Sequence, residues 1–229
     1  MEINEKIEKL IVEVKKCETM LAGEEEVEIP AGIKEIFIEE LEKQKQYPGH
    51  FYTDSENGMG VEAKFDYSKE KPELVVRLDL NVAFHERYSD PKKMLGMYSK
   101  LMSIRRSNVV RKNKSLLEEI KKCETMSDGD KSIEIPQGLK EAVTQLLENI
   151  NTSKKPSTFV TIYRGDSSIA AFDYRDPFKS LPTIKIREDG LTQTFHWTLE
   201  DPKEILCYLN IVRRNQMNKE QGIADSKAR

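Results

Sequence analysis

Two histidines are the residues of this chain whose type and placement suit acid–base chemistry. His85 and His196 each follow a phenylalanine, and four residues separate each from an Asp-Pro-Lys sequence. An imidazole titrates near neutral pH, so a pair of them at a cleft between two halves of the chain could transfer protons. No nucleophile, HExxH, CxxC or phosphate-loop motif accompanies them. The alternative is a hydrogen bond from each imidazole to a loop carbonyl, so we keep both as candidate binding residues and assign no catalytic residue.

Two arginine pairs form the second candidate site. Arg105-Arg106 and Arg213-Arg214 occur where two helices are predicted to end, and Arg111, Lys112 and Lys114 follow the first pair. Clustered cations bind phosphate groups, so these pairs are the binding residues expected if the chain contacts nucleic acid. The alternative is structural, because a cation at the C-terminus of a helix offsets the negative end of the helix dipole.

Both candidate sites occur twice because the chain contains an internal repeat. Residues Lys15–Met20 recur as Lys121–Met126, 106 positions later. Between Leu10–Glu35 and Leu116–Glu141, 15 of 26 positions are identical, far more than unrelated segments share. The pattern predicts a tandem duplication, with a first repeat at 1–108, a second at 109–218 and a frayed C-terminal tail at 219–229.

Each repeat begins with patterns typical of a helix, a short strand and a second helix. Apolar residues recur every three or four positions over Ile7–Leu21. Gly23 and Gly129 are then expected to end this helix in a left-handed turn. Residues Val27–Pro30 alternate like a short strand, and the apolar spacing over 33–41 predicts the second helix.

The remainder of each repeat predicts a sheet and a closing helix. Alternating apolar and polar residues predict about four antiparallel strands, in which Asp66 and Asp173 point away from their aromatic neighbours towards solvent. Asp90-Pro91 and Asp201-Pro202 mark helix starts, since the carboxylate caps free amides and the proline costs no hydrogen bond. The predicted fold class is α+β: a tandem α-β-α-β(4)-α unit with antiparallel sheets and helices packed on one face. The two units are expected to form a pseudo-twofold intramolecular dimer.

Composition and charge exclude several classes of protein. Charged residues make up 34% of the chain and hydrophobic residues 38%, which is the profile of a globular rather than a disordered chain. The formal charge of −3 gives no overall attraction to nucleic acid or to an anionic membrane. Acidic residues outnumber basic ones in both predicted sheet regions, so neither sheet is expected to present a cationic face.

Cysteine usage and the absence of apolar segments bear on location. Cys17 and Cys123 occupy equivalent positions on a predicted buried stripe, and Cys207 has no counterpart, so reduced thiols are expected. The N-terminal residues lack the basic and apolar regions of a signal peptide, and no apolar run could span a bilayer. A cytoplasmic protein without membrane contact is therefore expected.

The order of elements resembles the duplicated arrangement of the TATA-binding protein and the four-strand-plus-helix repeat of Pur-type single-strand binders. The resemblance covers element order alone and implies nucleic-acid binding as one alternative. Because no catalytic, metal or cofactor motif is present, we expect a non-catalytic, regulatory protein that binds a macromolecular partner, in the first instance another protein, as a monomer or a homodimer. A histidine-based enzyme is the further alternative, and no cofactor or metal is expected.

Overall fold

A computed structural model describes residues 2–56, 59–78, 85–153, 156–164, 168–176, 179–189 and 194–227. Within these ranges the chain forms five helices and twelve strands, and every strand pair is antiparallel. The predicted α+β class is therefore confirmed. Asp189-Gly190 predicts a two-residue hairpin turn, and a turn is expected at a similar place near Asn81, but Gly190 and Asn81 lie outside the described residues.

The described residues divide into two compact units. The first extends to Asn108 and includes Pro156, and the second comprises Val109–Ser153 and the residues from Ser157 onwards. The elements up to Lys122 are α1 (Ile3–Lys16), β1 (Thr19–Ala22), β2 (Glu25–Glu28), α2 (Ile33–Gln44), β3 (His50–Glu56), β4 (Met59–Asp66), β5 (Glu73–Leu78), β6 (His85–Tyr88) and α3 (Pro91–Lys122). The elements after it are β7 (Thr125–Asp128), β8 (Lys131–Glu134), α4 (Leu139–Asn151), β9 (Phe159–Arg164), β10 (Ser168–Asp173), β11 (Thr183–Asp189), β12 (Thr194–Leu199) and α5 (Pro202–Lys227).

The predicted single short strand is wrong, because each unit contains a β-hairpin at this place. In the first unit α1 ends at Lys16, and β1 pairs with β2 so that Met20 lies opposite Val27. Gly23 lies in the hairpin turn with a φ of 69° rather than at a helix end. The equivalent turn holds Gly129 with a φ of 59°. Met20 is buried, and a buried residue at this position extends the apolar stripe of α1, which is why the sequence predicts a longer helix.

The helices after the sheets are longer than predicted. Asp90 and Asp201 cap their N-termini as expected, since each carboxylate accepts a hydrogen bond from a backbone N–H, 3.0 Å from Lys93 and 2.8 Å from Lys203. Helix α3 then runs without a break to Lys122, through the segment predicted to link the repeats. Helix α5 continues to Lys227, which differs from the frayed tail predicted at 219–229.

Each unit has its own core between one face of its four-stranded sheet and its helices. In the first unit, Phe65 of β4 and Phe37 of α2 lie with ring centroids 6.0 Å apart, and the Phe37 ring lies 4.7 Å from that of Tyr98 on α3. In the second unit, Phe172 of β10 occupies the same sheet position and is fully buried. Only alternate strand residues enter these cores, so the opposite face of each sheet carries the remaining side chains.

A buried lysine joins the first helical segment of each unit to the sheet. Lys6 Nζ donates hydrogen bonds to the carbonyl oxygens of Tyr67 and Lys69, each over 2.6 Å. Lys112, 106 positions later, donates to those of Tyr174 and Asp176 over 2.8 and 2.5 Å. The sequence predicts that Lys112 is part of a basic patch, but only 2% of the Lys112 residue is exposed. It is therefore a structural residue and is not available to a phosphate.

The tyrosines beside these lysines differ in one hydrogen bond, which gives a matched pair of variants. Tyr174 donates to Asn113 Oδ1 over 2.7 Å, whereas the buried Tyr67 hydroxyl has no partner among the described residues. We expect Tyr174→Phe to lower the free energy of unfolding by about 1–3 kcal/mol, because the Asn113 oxygen is left buried and unpaired. Tyr67→Phe should change it by less than about 0.5 kcal/mol or raise it. Urea unfolding followed by circular dichroism measures both, and equal losses would contradict the assignment.

Candidate functional site

The two candidate histidines lie on edge strands of different sheets. His85 of β6 lies opposite Arg77 of β5, and His196 of β12 lies opposite Arg187 of β11. Both imidazoles are exposed. Neither hydrogen-bonds to another residue that the structure describes, so the predicted bond to a loop carbonyl is not found there. Each histidine is instead part of the sheet face that points away from its core.

The candidate arginine pairs do not lie at helix ends, so that prediction is wrong. Arg105 and Arg106 lie in the middle of α3, and Arg213 and Arg214 lie in the middle of α5. The helices continue because the residues after each pair remain helix-compatible and contain no glycine or proline stop signal close by. Arg213 is half-buried beside a small cavity whose walls include Leu139. The arginine pairs are therefore not placed to offset a helix dipole or to bind phosphate at a helix terminus.

The outer face of the second sheet is the site that the structure adds. Because Ala170 and Phe172 of β10 enter the core, Ile169, Ala171 and Asp173 point to the opposite side. Strand register aligns further residues with these on the same side. Across the sheet, the rows are Arg164–Ile169–Arg187–His196, Thr161–Ala171–Lys185–Thr198 and Phe159–Asp173–Thr183. We call this surface the second open face.

The second open face is cationic around an apolar centre. A cavity of about 480 Å³ lies over Phe159, Ile169, Lys185, Arg187 and His196. Arg164 adds a further exposed cation at its edge. Within these three rows Asp173 is the one carboxylate, and Asp189 continues the register beyond them at the end of β11, opposite Thr194.

Asp173 is already neutralised by Arg175. The guanidinium donates two hydrogen bonds to the carboxylate, Nε to Oδ1 over 2.8 Å and Nη2 to Oδ2 over 2.7 Å. Burial acts to raise the pKa of the Asp173 carboxyl, but the side-chain and backbone hydrogen bonds from Arg175 outweigh it and leave the pKa lowered. The same guanidinium lies 5.1 Å from the centre of the Phe159 ring. Lys185 donates a hydrogen bond to the Thr198 hydroxyl over 2.8 Å, which is a neutral partner, so Lys185 keeps its positive potential.

The corresponding face of the first sheet is electrically balanced. Arg87 pairs with Asp66 over 2.9 Å and with Glu73 over 2.8 Å, and Arg77 approaches Glu62 at 3.5 Å. The pKa of the Glu73 carboxyl is lowered, first by a hydrogen bond from the Lys69 side chain and second by the one from Arg87. Asp66 is on the outer face, as predicted, and its pKa is lowered chiefly by hydrogen bonds from Ser68 and then from Arg87.

A loss of carboxylates accounts for the difference in charge between the sheets. Where the first face has Glu62 and Glu73, the register gives the second face Ile169 and Thr183. The number of cations in these rows is unchanged, with Lys64, Arg77 and Arg87 on the first face and Arg164, Lys185 and Arg187 on the second. The expectation that neither sheet presents a cationic face is therefore wrong. It rests on all charges in the segment, including Glu188, which alternates to the other face, and Glu200, which lies beyond β12.

Other candidate chemistry is not found in the described part of the chain. Cys17, Cys123 and Cys207 are free and buried, as expected for the first two, and burial raises the pKa of each thiol. No group of three His, Cys, Asp or Glu side chains in that part is placed to hold a metal ion. None of its helices is both long enough and apolar enough to cross a bilayer.

Comparison with known proteins adds no assignment to this geometry: no protein-family model, no curated protein and no solved structure matches the chain.

Proposed function

We propose that this chain is a non-catalytic interaction protein that binds an acidic segment of another protein on the second open face and thereby regulates it. The observation that carries the proposal is the charge of that face, where Lys185, Arg187 and Arg164 surround Ile169 and the Asp173 carboxylate is paired with Arg175. Positive potential around an apolar centre complements a segment that carries both carboxylates and apolar side chains.

We further propose that the chain arose by tandem duplication and that its copies diverged in use. Equivalent contacts support the duplication. Lys34 Nζ donates to the Cys17 carbonyl oxygen over 2.5 Å, and Lys140 Nζ donates to that of Cys123 over 2.7 Å. The paired carboxylates leave the outer face of the first sheet neutral, so binding is assigned to the second open face. Free, buried thiols are consistent with a reducing compartment such as the cytoplasm.

An acidic protein segment fits this face better than nucleic acid does. Single-strand binders use exposed aromatic rings on which bases stack. Two exposed aromatic side chains line the cavity, Phe159, which the Arg175 guanidinium covers on one side, and Trp197, so the aromatic content does not decide between the two ligands. The formal charge of the whole chain is −3, which opposes approach of a polyanion as dense as nucleic acid. Peptide carboxylates at wider spacing require only the local patch.

The test exchanges the charges of the second open face. We expect Lys185→Ala with Arg164→Ala to weaken binding of a fluorescent peptide of alternating Glu and Leu residues about tenfold, because two exposed cations that face the carboxylates are removed. Fluorescence anisotropy at low salt measures the affinity, which should fall as salt is raised. The matched control is Arg77→Ala with Arg87→Ala on the first sheet, where the arginines already have carboxylate partners.

Two outcomes would overturn the proposal. One is equal weakening by the control pair of substitutions, which would mean that binding depends on overall charge. The other is tighter, salt-steep binding of single-stranded DNA or RNA than of the peptide, which would assign the face to nucleic acid. Affinity purification with and without nuclease, followed by mass spectrometry, distinguishes a protein partner from one held through nucleic acid.

A further inference from the structure

A groove in the first unit has no role in the proposed function. It has a volume of about 640 Å³ and lies between β1, β6 and one face of α3. The volume is in the range of sites that hold small organic ligands. Most α3 residues of the groove are spaced three or four apart, which is the spacing of one helix side: Lys93, Gly96, Met97, Lys100 and Ser103, with Ser99 beside them. We call this cleft the first-unit groove.

The inner surface of the first-unit groove is largely apolar. Met20 and Leu21 of β1, Tyr88 of β6 and Met97 of α3 contribute to it. Gly96 allows β1 to lie directly on the helix, since a Cβ at that position would be 1.8 Å from the Leu21 carbonyl oxygen. Strand β1 and helix α3 are therefore in direct contact at Gly96, and the groove opens beside this contact. Methionine side chains adapt to apolar ligands of varied shape.

The charge of the groove is positive at its rim. Lys93 and Lys100 are exposed, and neither ammonium group forms an ion pair or a hydrogen bond with another described residue. Glu86 is the one carboxylate that lines the groove, and it accepts a hydrogen bond from the Tyr88 hydroxyl. Both lysines are thus available to an anionic group that enters from solvent.

The corresponding positions of the second unit have different side chains. Counting from Asp90-Pro91 and Asp201-Pro202, Gly96 corresponds to Cys207, Met97 to Tyr208 and Lys100 to Ile211. Cys207 is buried, and Tyr208 packs against the second core. The flexible, cationic helix face of the groove is therefore specific to the first unit, as the cationic sheet face is to the second.

We propose that the first-unit groove binds a small amphipathic anion. Its carboxylate, or a similar anionic head group, pairs with Lys93 and Lys100. Its alkyl or aromatic body lies against Met20, Tyr88 and Met97. This site is independent of the protein-binding function proposed for the second open face, and either can fail without the other.

Methionine methyl resonances provide a test at the level of single residues. The full chain with ¹³C-labelled methionine methyl groups is titrated with octanoate, and the resonances are assigned by single substitution. We expect the Met20 and Met97 methyls to shift and saturate together. Met126, which lies opposite Ile133 as Met20 lies opposite Val27, is the internal control in the second unit and should not move. Octanol, which has the same chain without the charge, should bind several-fold more weakly.

Two variants separate the charge from the shape of the groove. Lys93→Ala with Lys100→Ala should weaken octanoate binding about three- to tenfold and leave octanol binding unchanged, since exposed ion pairs contribute modestly. The control removes two exposed lysines elsewhere, Lys114→Ala with Lys131→Ala. Met97→Tyr introduces the residue that the second unit has and should abolish binding by filling the groove. Unshifted Met20 and Met97 methyls, an equal shift of Met126, or equal weakening by the control would each overturn the proposal.

Discussion

Gly96→Ala is expected to destabilise the first unit by about 3 kcal/mol, one of the two largest effects of a single substitution that the structure indicates. The added Cβ would lie 1.8 Å from the carbonyl oxygen and 2.8 Å from the carbonyl carbon of Leu21, both backbone atoms. A flexible side chain could move aside, but here β1 or α3 must shift, and overpacking of this kind costs about 1–3 kcal/mol or more. In an exposed helix the same change would stabilise by about 1 kcal/mol, so even the sign of the result is diagnostic.

The measurement must report on the first unit. Hydrogen–deuterium exchange read by mass spectrometry should show faster exchange in β1, β2 and the N-terminal part of α3, with the second unit unchanged. Cys207→Ala is the matched control at the corresponding position of α5, where a Cβ already exists, and should cost at most about 1 kcal/mol. If Gly96→Ala is neutral or stabilising, the close contact between the hairpin and the helix is wrong.

The fold class could be predicted from the sequence because it depends on patterns that are local. The period of apolar residues in the helices and the alternation in the strands identify most elements, and Asp90-Pro91 and Asp201-Pro202 mark two helix starts correctly. The hairpin of β1 and β2 was missed for a physical reason. Met20 and Leu21 fall at helical spacing from Cys17, so the apolar stripe continues although the chain has turned into a strand. Neither Gly23 nor Gly129 distinguishes a helix end from a hairpin turn, since both need a positive φ.

The candidate site was not predicted because it depends on pairing between strands. His196 recurs in the sequence, but a count of charges over the segment combines its neighbours Arg187 and Lys185 with acidic residues that lie elsewhere. Register decides which charges lie together, and the sequence patterns do not determine the register across four strands. The arginine pairs are clusters in the sequence, and a cluster does not indicate where a helix ends when no stop signal follows.

Lys112→Met gives the second large effect and tests whether a charged residue in a basic stretch is structural. Lys112 is 2% exposed, and its ammonium group donates hydrogen bonds to the carbonyl oxygens of Tyr174 and Asp176. Methionine fills a similar volume but leaves both oxygens without that donor, and an unpaired buried acceptor costs about 1–3 kcal/mol. The gain from no longer burying a charge offsets part of this. We expect the free energy of unfolding of the second unit to fall by about 2–4 kcal/mol.

The only tryptophan of the chain, Trp197, lies in the second unit, so its fluorescence during urea unfolding reports the change there. Lys114→Met makes the same chemical change two residues further along α3 at an exposed position and should alter stability by less than about 0.5 kcal/mol. If the two variants unfold at the same urea concentration, Lys112 does not hold the helix to the sheet, and it returns to the basic patch with Arg111 and Lys114. If only Lys112→Met lowers the stability, Lys112 has the same structural role as Lys6, 106 residues earlier. The second open face is then the cationic surface available to a partner.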